Sequence, residues 1–269
     1  MILVTGATGF VGRKILETCP NTIPCPSLRD ASEAQVRQIL AESGADVIIH
    51  TAAIADTGYC QTHPEESYLA NVQLPLFLAK AAGDAKLICF SSDQVYTGTD
   101  GEGPYTEDMA DPANVYGQHK LEMERRVLDI APHAVMLRAE WMYDWYLKKP
   151  NYFMNILRAA GPVAFSSRQF RGITYVKEVA ENMDKVIRLP GGVYNFGSET
   201  TKSMYEITRD FLSFLGRDIP LEDAPPRHDL WMDCQKARAL GVEFSTVENG
   251  LRRCARDPGL HPHQKHQMV

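Results

Sequence analysis

The chain is expected to fold as an α/β protein, a doubly wound parallel sheet with a smaller C-terminal lobe. Short apolar runs alternate with helical patterns along most of its 269 residues, as in βα units that build a parallel sheet. The first run, Ile2-Leu3-Val4-Thr5, leads directly into Gly6-Ala7-Thr8-Gly9-Phe10-Val11-Gly12 and a helical pattern. Glycines so spaced between strand and helix let backbone approach a pyrophosphate, and the helix N-terminus attracts it. An apolar content of 44% at this length supports one large core.

Residues 21–23 suggest a second strand, short because Pro24 and Pro26 lack ladder donors. About twenty residues past the glycines, where an NAD site places an acid, stand Cys25, Pro26, Ser27 and then Arg29-Asp30. No carboxylate at the strand end repels a 2'-phosphate, and Ser27 or Arg29 is available to bind one. NADP(H) is therefore favoured over NAD(H). Asp30, beside Ala31, is placed either to meet an adenine or to cap the helix that starts near Ser32.

Residues 45–50 read as a buried parallel strand ending in Thr51-Ala52-Ala53, small residues that let a cofactor pass close. His50 is expected to be a core histidine. A helix over about 65–82 carries Asn71 and is interrupted by Pro75. Residues 86–90 form the next strand, which runs into Ser91-Ser92-Asp93-Gln94-Val95-Tyr96. Ligands of open α/β sheets sit at the carboxyl ends of strands, so the Ser92 hydroxyl is positioned to reach a substrate carbonyl.

After a polar loop, a helix over 113–131 carries Tyr116 and Lys120. Four residues apart, they share one helix face. The ammonium is expected to favour phenolate and draw the phenol from ~10 toward neutrality, a change worth roughly 4 kcal/mol. By itself this spacing is weak evidence; its position behind the glycine loop and the Ser92 strand end gives it weight.

Residues 134–138 form a strand, followed by Trp141, Tyr143, Trp145, Tyr146, Lys148 and Lys149. That cluster suits a sugar diphosphate, or else the core of a lobe. Helices are expected over 151–160, 175–188, 203–215, 232–240 and 246–255, with a strand over 193–196. Residues 1–150 and 175–217 would make a dinucleotide-binding body, 151–174 and 218–257 a substrate lobe, and 258–269 a mobile tail. Its His261, His263 and His266 are not read as a metal site, and no metal is expected.

A net charge of -6 without a basic block argues against a nucleic-acid partner. Six scattered cysteines without Cys-x-x-Cys spacing fit a reducing cytoplasm. Met1-Ile2-Leu3-Val4 runs into structure with no basic leader, and no apolar run has spanning length. A soluble cytoplasmic protein with no membrane partner is expected.

Together, Thr5-Gly6-x-x-Gly9-x-x-Gly12, Ser92 and Tyr116-x-x-x-Lys120 resemble the extended short-chain dehydrogenase/reductase superfamily, a Rossmann fold, and within it the dTDP-4-dehydrorhamnose reductase family. The likeness extends through residues 46–53, Pro64-Glu65, 91–96, Pro104-Tyr105 with Glu107, and 114–117. It continues in Leu137-Arg138, Trp141-Met142-Tyr143 and Gln169 with Thr174-Tyr175-Val176. The resemblance implies NAD(P)H-dependent reduction of a nucleotide-diphosphate 4-keto-6-deoxy sugar in polysaccharide synthesis. Tyr116 gives the proton, Ser92 holds the keto oxygen, and Lys120 binds the nicotinamide ribose and lowers the phenol. Gly6, Thr8, Gly9, Phe10, Val11, Gly12, Asp30, Ala31, Thr51, Ala52, Ala53, Asn71, Tyr116 and Lys120 face the cofactor; Asp93, Trp141 and Arg168 face the substrate. Helices 65–82 and 113–131 could form the superfamily's four-helix homodimer.

The related 4,6-dehydratases carry an Asp-Glu pair where this chain has Asp93-Gln94. An amide is no base, so a reductase is favoured over a dehydratase. His119, Glu140, Tyr152 and Ile173 depart from the reductase pattern, three of them on the substrate side, which leaves the sugar open. A regulatory subunit like the methionine adenosyltransferase beta subunit, or a nucleotide-sugar epimerase, is the alternative.

Overall fold

The computed structural model describes residues 1–146 and 148–257; the expected tail lies outside the described residues. Among the latter, ten strands form: β1 (Ile2–Thr5), β2 (Thr22–Pro24), β3 (Val47–His50), β4 (Lys86–Ser92), β5 (Val135–Ala139), β6 (Trp141–Tyr143), β7 (Val163–Phe165), β8 (Ile173–Tyr175), β9 (Gly192–Phe196) and β10 (Leu221–Asp223). Six make the expected parallel sheet, in the order β2-β1-β3-β4-β5-β9. Strand order reverses between β1 and β3, so a crevice opens at their carboxyl ends.

Successive strand residues point to opposite faces, and both faces are covered. Leu3, Ile48, Leu87 and Cys89 pack under α2 (Glu33–Ser43), α5 (Leu74–Ala81) and α6 (Val115–Ile130). Val4, Ile49, Ile88 and Phe90 pack with Ile15 of α1 (Phe10–Thr18) on the other face. The continuous apolar runs in the sequence are the mark of this double burial.

The expected helix over 65–82 is instead three pieces. After α3 (Thr57–Thr62), α4 (Pro64–Tyr68) gives way to a π-helical turn, Leu69–Gln73, before α5. Leu74 N–H donates to the Leu69 carbonyl, a five-residue step. Pro75 offers no N–H to the carbonyl four residues back, and the widened turn accommodates that loss.

A third apolar cluster forms the lobe around Tyr143, Tyr152, Phe153, Ile173 and Tyr175. Its helices are α7 (Tyr152–Arg158), α10 (Met204–Phe214) and α12 (Val247–Arg256), and between them in sequence lie α8 (Val176–Glu181), α9 (Met183–Val186) and α11 (Gln235–Arg238). Two boundaries differ from the sequence-based division. Met204, Ile207 and Phe211 of α10, expected in the body, pack in the lobe; Ala237 and Val242, expected in the lobe, pack in the sheet's core.

Two expected helices are shorter than anticipated. The 175–188 pattern breaks at Asn182, whose side-chain amide donates to the Glu178 and Glu243 carbonyls at 2.9 and 2.8 Å, a competition with backbone bonding natural to Asn. Only Gln235–Arg238 of 232–240 is helical. The chain before it is extended, and Leu230, Met232 and Cys234 alternate into a small core with Val95, Tyr96 and Tyr105. The chain therefore follows a period of two through Met232 and Cys234, where the sequence suggests a helix.

One buried ion pair joins the sheet to α6. Arg138 on β5 and Glu124 on α6 are 3% and 1% exposed, with Nη2 on Oε2 at 2.7 Å and Nε on Oε1 at 3.0 Å. Arg138 Nη1 also donates to the Tyr96 hydroxyl and the Glu107 carbonyl, and Ser91 Oγ donates to Glu124. Removing one partner strands the other charge in apolar surroundings, which costs about 3–5 kcal/mol. Arg138→Leu should therefore lower the urea midpoint by a corresponding amount with an unchanged denaturant slope; a loss below about 1 kcal/mol contradicts this role for the pair.

Candidate active site

The turn after β1 packs closely against the end of β3 at the crevice. Gly6 has φ +65°, and Gly9 N–H donates to its carbonyl at 2.8 Å. A Cβ on Gly6 would press on Ala52 N and Thr51 Oγ1, and one on Gly12 would overlap the Gly6 carbonyl. Thr51 Oγ1 donates to the Thr5 carbonyl at 2.7 Å, locking the ends of β1 and β3 together. Gly9 is the N-cap of α1, which has no side-chain cap and no acid in its first turn. Its first N–H groups are left for an anion, so these residues fit a dinucleotide pyrophosphate.

Ser92, Tyr116 and Lys120 reach the same crevice from β4 and α6. Ser92 caps a 3-10 turn, Asp93–Tyr96, accepting from Gln94 N at 3.2 Å. Asn114 caps α6 through Gly117 N at 2.8 Å and donates to Gln94 Oε1 at 3.1 Å. Gln94 thus ties the Ser92 turn to the start of α6.

The electrostatics differ from expectation at the phenol. Burial, aided by the Asp93 charge, pushes Tyr116 well above the usual tyrosine range, opposed by the Ser92 hydroxyl within hydrogen-bonding reach. Lys120 Nζ donates to the Phe90 carbonyl at 2.8 Å and lies 5.7 Å from the Tyr116 ring centroid. Its own value is pulled down to about 8 by burial. Burial therefore governs the phenol, Lys120 is not among the influences on it, and the expected lowering does not occur. His50 is the core residue expected: it is 1% exposed, shares a 2.8 Å bond with Thr5 Oγ1, and is lowered to about 3, chiefly by burial.

One continuous cleft of about 1610 Å³ holds most of the residues singled out from the sequence. Gly6, Thr8, Gly9, Phe10, Val11, Asp30, Ala31, Thr51, Ala52 and Ala53 line it, as do Ser92, Asp93, Tyr116, Lys120 and Trp141. Ser27 and Arg29 lie at its β2 end. A drug-sized pocket is roughly 300–1,000 Å³, so the cleft has room for a dinucleotide and a second molecule.

Three expected contacts lie elsewhere. Gly12 is behind the loop, against the Gly6 carbonyl. Asn71 is fully buried in the π-helical turn, donating to the Ile54 carbonyl at 3.0 Å and Ser67 Oγ at 3.2 Å, so it supports the loop after β3 from beneath. Arg168 is outside the cleft lining, and Arg171 takes that position: Nη2 meets Asp93 Oδ2 at 2.7 Å and the guanidinium lies 5.5 Å from the Trp141 ring centroid. Pairing of β6 with β8 in the register Trp141↔Ile173 brings Arg171 there. Asp30 is not the cap of α2, since Ser32 and Gln35 form a reciprocal capping box.

The aromatic and basic cluster divides between its two expected uses. Trp141, Tyr146, Lys148 and Lys149 line the cleft, whereas Tyr143 is fully buried in the lobe core and Trp145 packs there with Nε1 on the Cys254 carbonyl at 2.7 Å. Glu140 also lines the cleft, 6% exposed. Its Oε1 accepts from Thr174 Oγ1 and from Ser198 N at 2.7 Å, and burial raises the carboxyl to about 8.

A glycine-turn cleft on a doubly wound sheet, with Ser, Tyr and Lys at its floor, defines an extended short-chain dehydrogenase/reductase. Residues 1–228 match the model of the RmlD substrate binding domain family, and the chain belongs to that family. It is 30% identical to methionine adenosyltransferase 2 subunit beta of Xenopus laevis, over 89% of this chain and 82% of that protein. It is 34% identical to a dTDP-4-dehydrorhamnose reductase of Mycolicibacterium smegmatis, over 53% of this chain and 46% of that one. The fold superposes on the dTDP-4-dehydrorhamnose reductase of Bacillus anthracis, solved in complex with NADP, with a TM-score of 0.83 at 23% identity over 94% and 98% of the two chains.

A carboxyl raised on folding contributes stability that is present below its unfolded value, 4.5, and is lost as pH rises through its folded value, about 8. Glu140→Gln removes this loss. The Tm of the variant relative to the native protein should rise between about pH 5 and about pH 8.5; a difference flat across that range contradicts the burial of a titrating carboxyl here.

Proposed function

We propose that the protein is an NADPH-dependent reductase of a nucleotide-diphosphate 4-keto-6-deoxy sugar. The observation that carries this is the meeting in one cleft of Ser92, Tyr116 and Lys120 with the glycine turn, and of Trp141 and Arg171 with the same floor. Family membership and the dTDP-4-dehydrorhamnose reductases among the relatives support the substrate class. NADP rather than NAD is supported by Ser27 and Arg29 at the β2 end and by the NADP in the Bacillus anthracis structure.

When bound, the nicotinamide supplies the hydride. Tyr116 donates the proton to the keto oxygen as it becomes an alkoxide. Its hydroxyl is protonated at neutral pH, as an ordinary tyrosine's is, and an alkoxide is a much stronger base than phenolate, so transfer is downhill. Ser92 donates a second hydrogen bond to the same oxygen. Lys120, held by the Phe90 carbonyl, brings positive charge to the cleft floor. Trp141 and Arg171 form the wall against which the sugar lies.

Cytoplasmic residence is supported by six free thiols, and no helix of the described residues is long and apolar enough to cross a membrane. A homodimer through α4, α5 and α6, which pack side by side, is part of the proposal.

Similarity to the methionine adenosyltransferase 2 subunit beta over most of the chain favours a second function, a cofactor-binding regulatory subunit. Purified protein given NADPH and a panel of dTDP-4-keto-6-deoxyhexoses should oxidise the cofactor. Tyr116→Phe should lose a factor of about 10²–10⁴ in kcat. Binding of NADPH without turnover on every sugar sinks the reductase and leaves the regulatory subunit.

A further inference from the structure

The cleft wall beside Trp141 contains a carboxyl whose bonding is half complete. Glu140 Oε1 is fully used by Thr174 Oγ1 and Ser198 N. Among the described residues, no hydrogen bond reaches Oε2, which lies against Gly172. The carboxyl is cradled by two glycines: a Cβ on Gly172 or Gly197 would overlap it. Such a side chain, 94% withdrawn from solvent and still lining the cleft, is a polar group held ready for a partner that the protein itself does not supply.

We propose that Glu140 is a specificity-determining residue of the sugar end of the cleft, its Oε2 donating a hydrogen bond to an oxygen of the bound hexose. This deepens the reductase assignment and rests on it for the identity of the sugar nucleotide. The charged and titratable groups that face Glu140 are Asp93 from the end of β4, Arg171 from the segment before β8, Tyr143 from β6, and Cys234 from the segment before α11. Arg171 is the single cation among them, and Asp93 already engages it at 2.7 Å. Burial and the Asp93 charge therefore keep Glu140 protonated at neutral pH. With Oε1 accepting two hydrogen bonds, the proton resides on Oε2 and makes it a donor.

A donor there recognises a hydroxyl or carbonyl oxygen and gains nothing from a ring position that lacks one. A buried donor left unpaired by the wrong sugar is penalised, so the selectivity is sharper than one apolar contact allows.

The test uses NADP-loaded protein titrated by calorimetry with dTDP-L-rhamnose and with dTDP, whose ratio of Kd values isolates the sugar. In the native protein the preference for the sugar nucleotide should fall several-fold between about pH 7 and about pH 9, as the carboxyl loses its proton. Glu140→Gln, whose amide donates at every pH, should hold the preference across that range. Glu140→Leu should reduce it about tenfold at neutral pH. If Glu140→Leu does not fold, the Glu140→Gln comparison at high pH still decides. A native ratio flat with pH, a Glu140→Gln ratio falling as the native one does, or a Glu140→Leu ratio equal to native overturns the proposal. Failure of the reductase assignment is read separately, as absent NADPH turnover in native protein whose Kd ratio still depends on pH and on Glu140.

Discussion

The Arg138–Glu124 pair is the constraint on which the rest of the molecule depends. Helix α6 carries Tyr116 and Lys120, and β4 ends at Ser92; neither element alone fixes the distance between them. Glu124, two turns beyond Tyr116, is held by Arg138 on the neighbouring strand and by Ser91, the residue before Ser92. The same guanidinium bonds the Tyr96 hydroxyl, which donates to Asn195 on β9 at 2.6 Å. Sheet, helix and the turn between them are thus joined through one buried cation. Net stabilisation from such a pair is small, since desolvating both charges offsets most of their attraction. Its value lies in geometry: a sliding helix would strand a charge.

Burial also sets the chemistry of the cleft. The largest influence on Tyr116, Lys120, Glu140 and His50 is in each case desolvation, and each shifts toward its neutral form. Tyr116 and Glu140 consequently keep their protons at neutral pH. Such a site suits reduction of a carbonyl, in which a proton must be given, better than a reaction that begins by removing one. Gln94 in place of a carboxylate agrees, because its amide serves to tie Asn114 to the Ser92 turn.

Much of this was legible in the sequence because the informative patterns are local. Gly6, Gly9 and Gly12 lie within one turn, Tyr116 and Lys120 on one helix face, and Ser92 at the end of one apolar run. What escaped depends on pairing across the fold. Arg171 and Arg168 are indistinguishable until β8 finds its register beside β6. The unpartnered oxygen of Glu140 is visible only when Gly172 and Gly197 close around it. The extended segment through Met232 and Cys234 reads as the start of a helix until Tyr105 and Tyr96 are brought against it. Sequence spacing reports that Lys120 neighbours Tyr116 and is blind to the burial that governs the phenol.

Hydride transfer from this cleft to a sugar carbonyl is tested most directly by supplying NADPH deuterated at the transferring position of nicotinamide C4, together with a dTDP-4-keto-6-deoxyhexose, and locating the deuterium by NMR. Deuterium on C4 of the hexose, with little in the Tyr116→Phe variant, is the result the structure requires. Cofactor that binds and keeps its label with every sugar contradicts it.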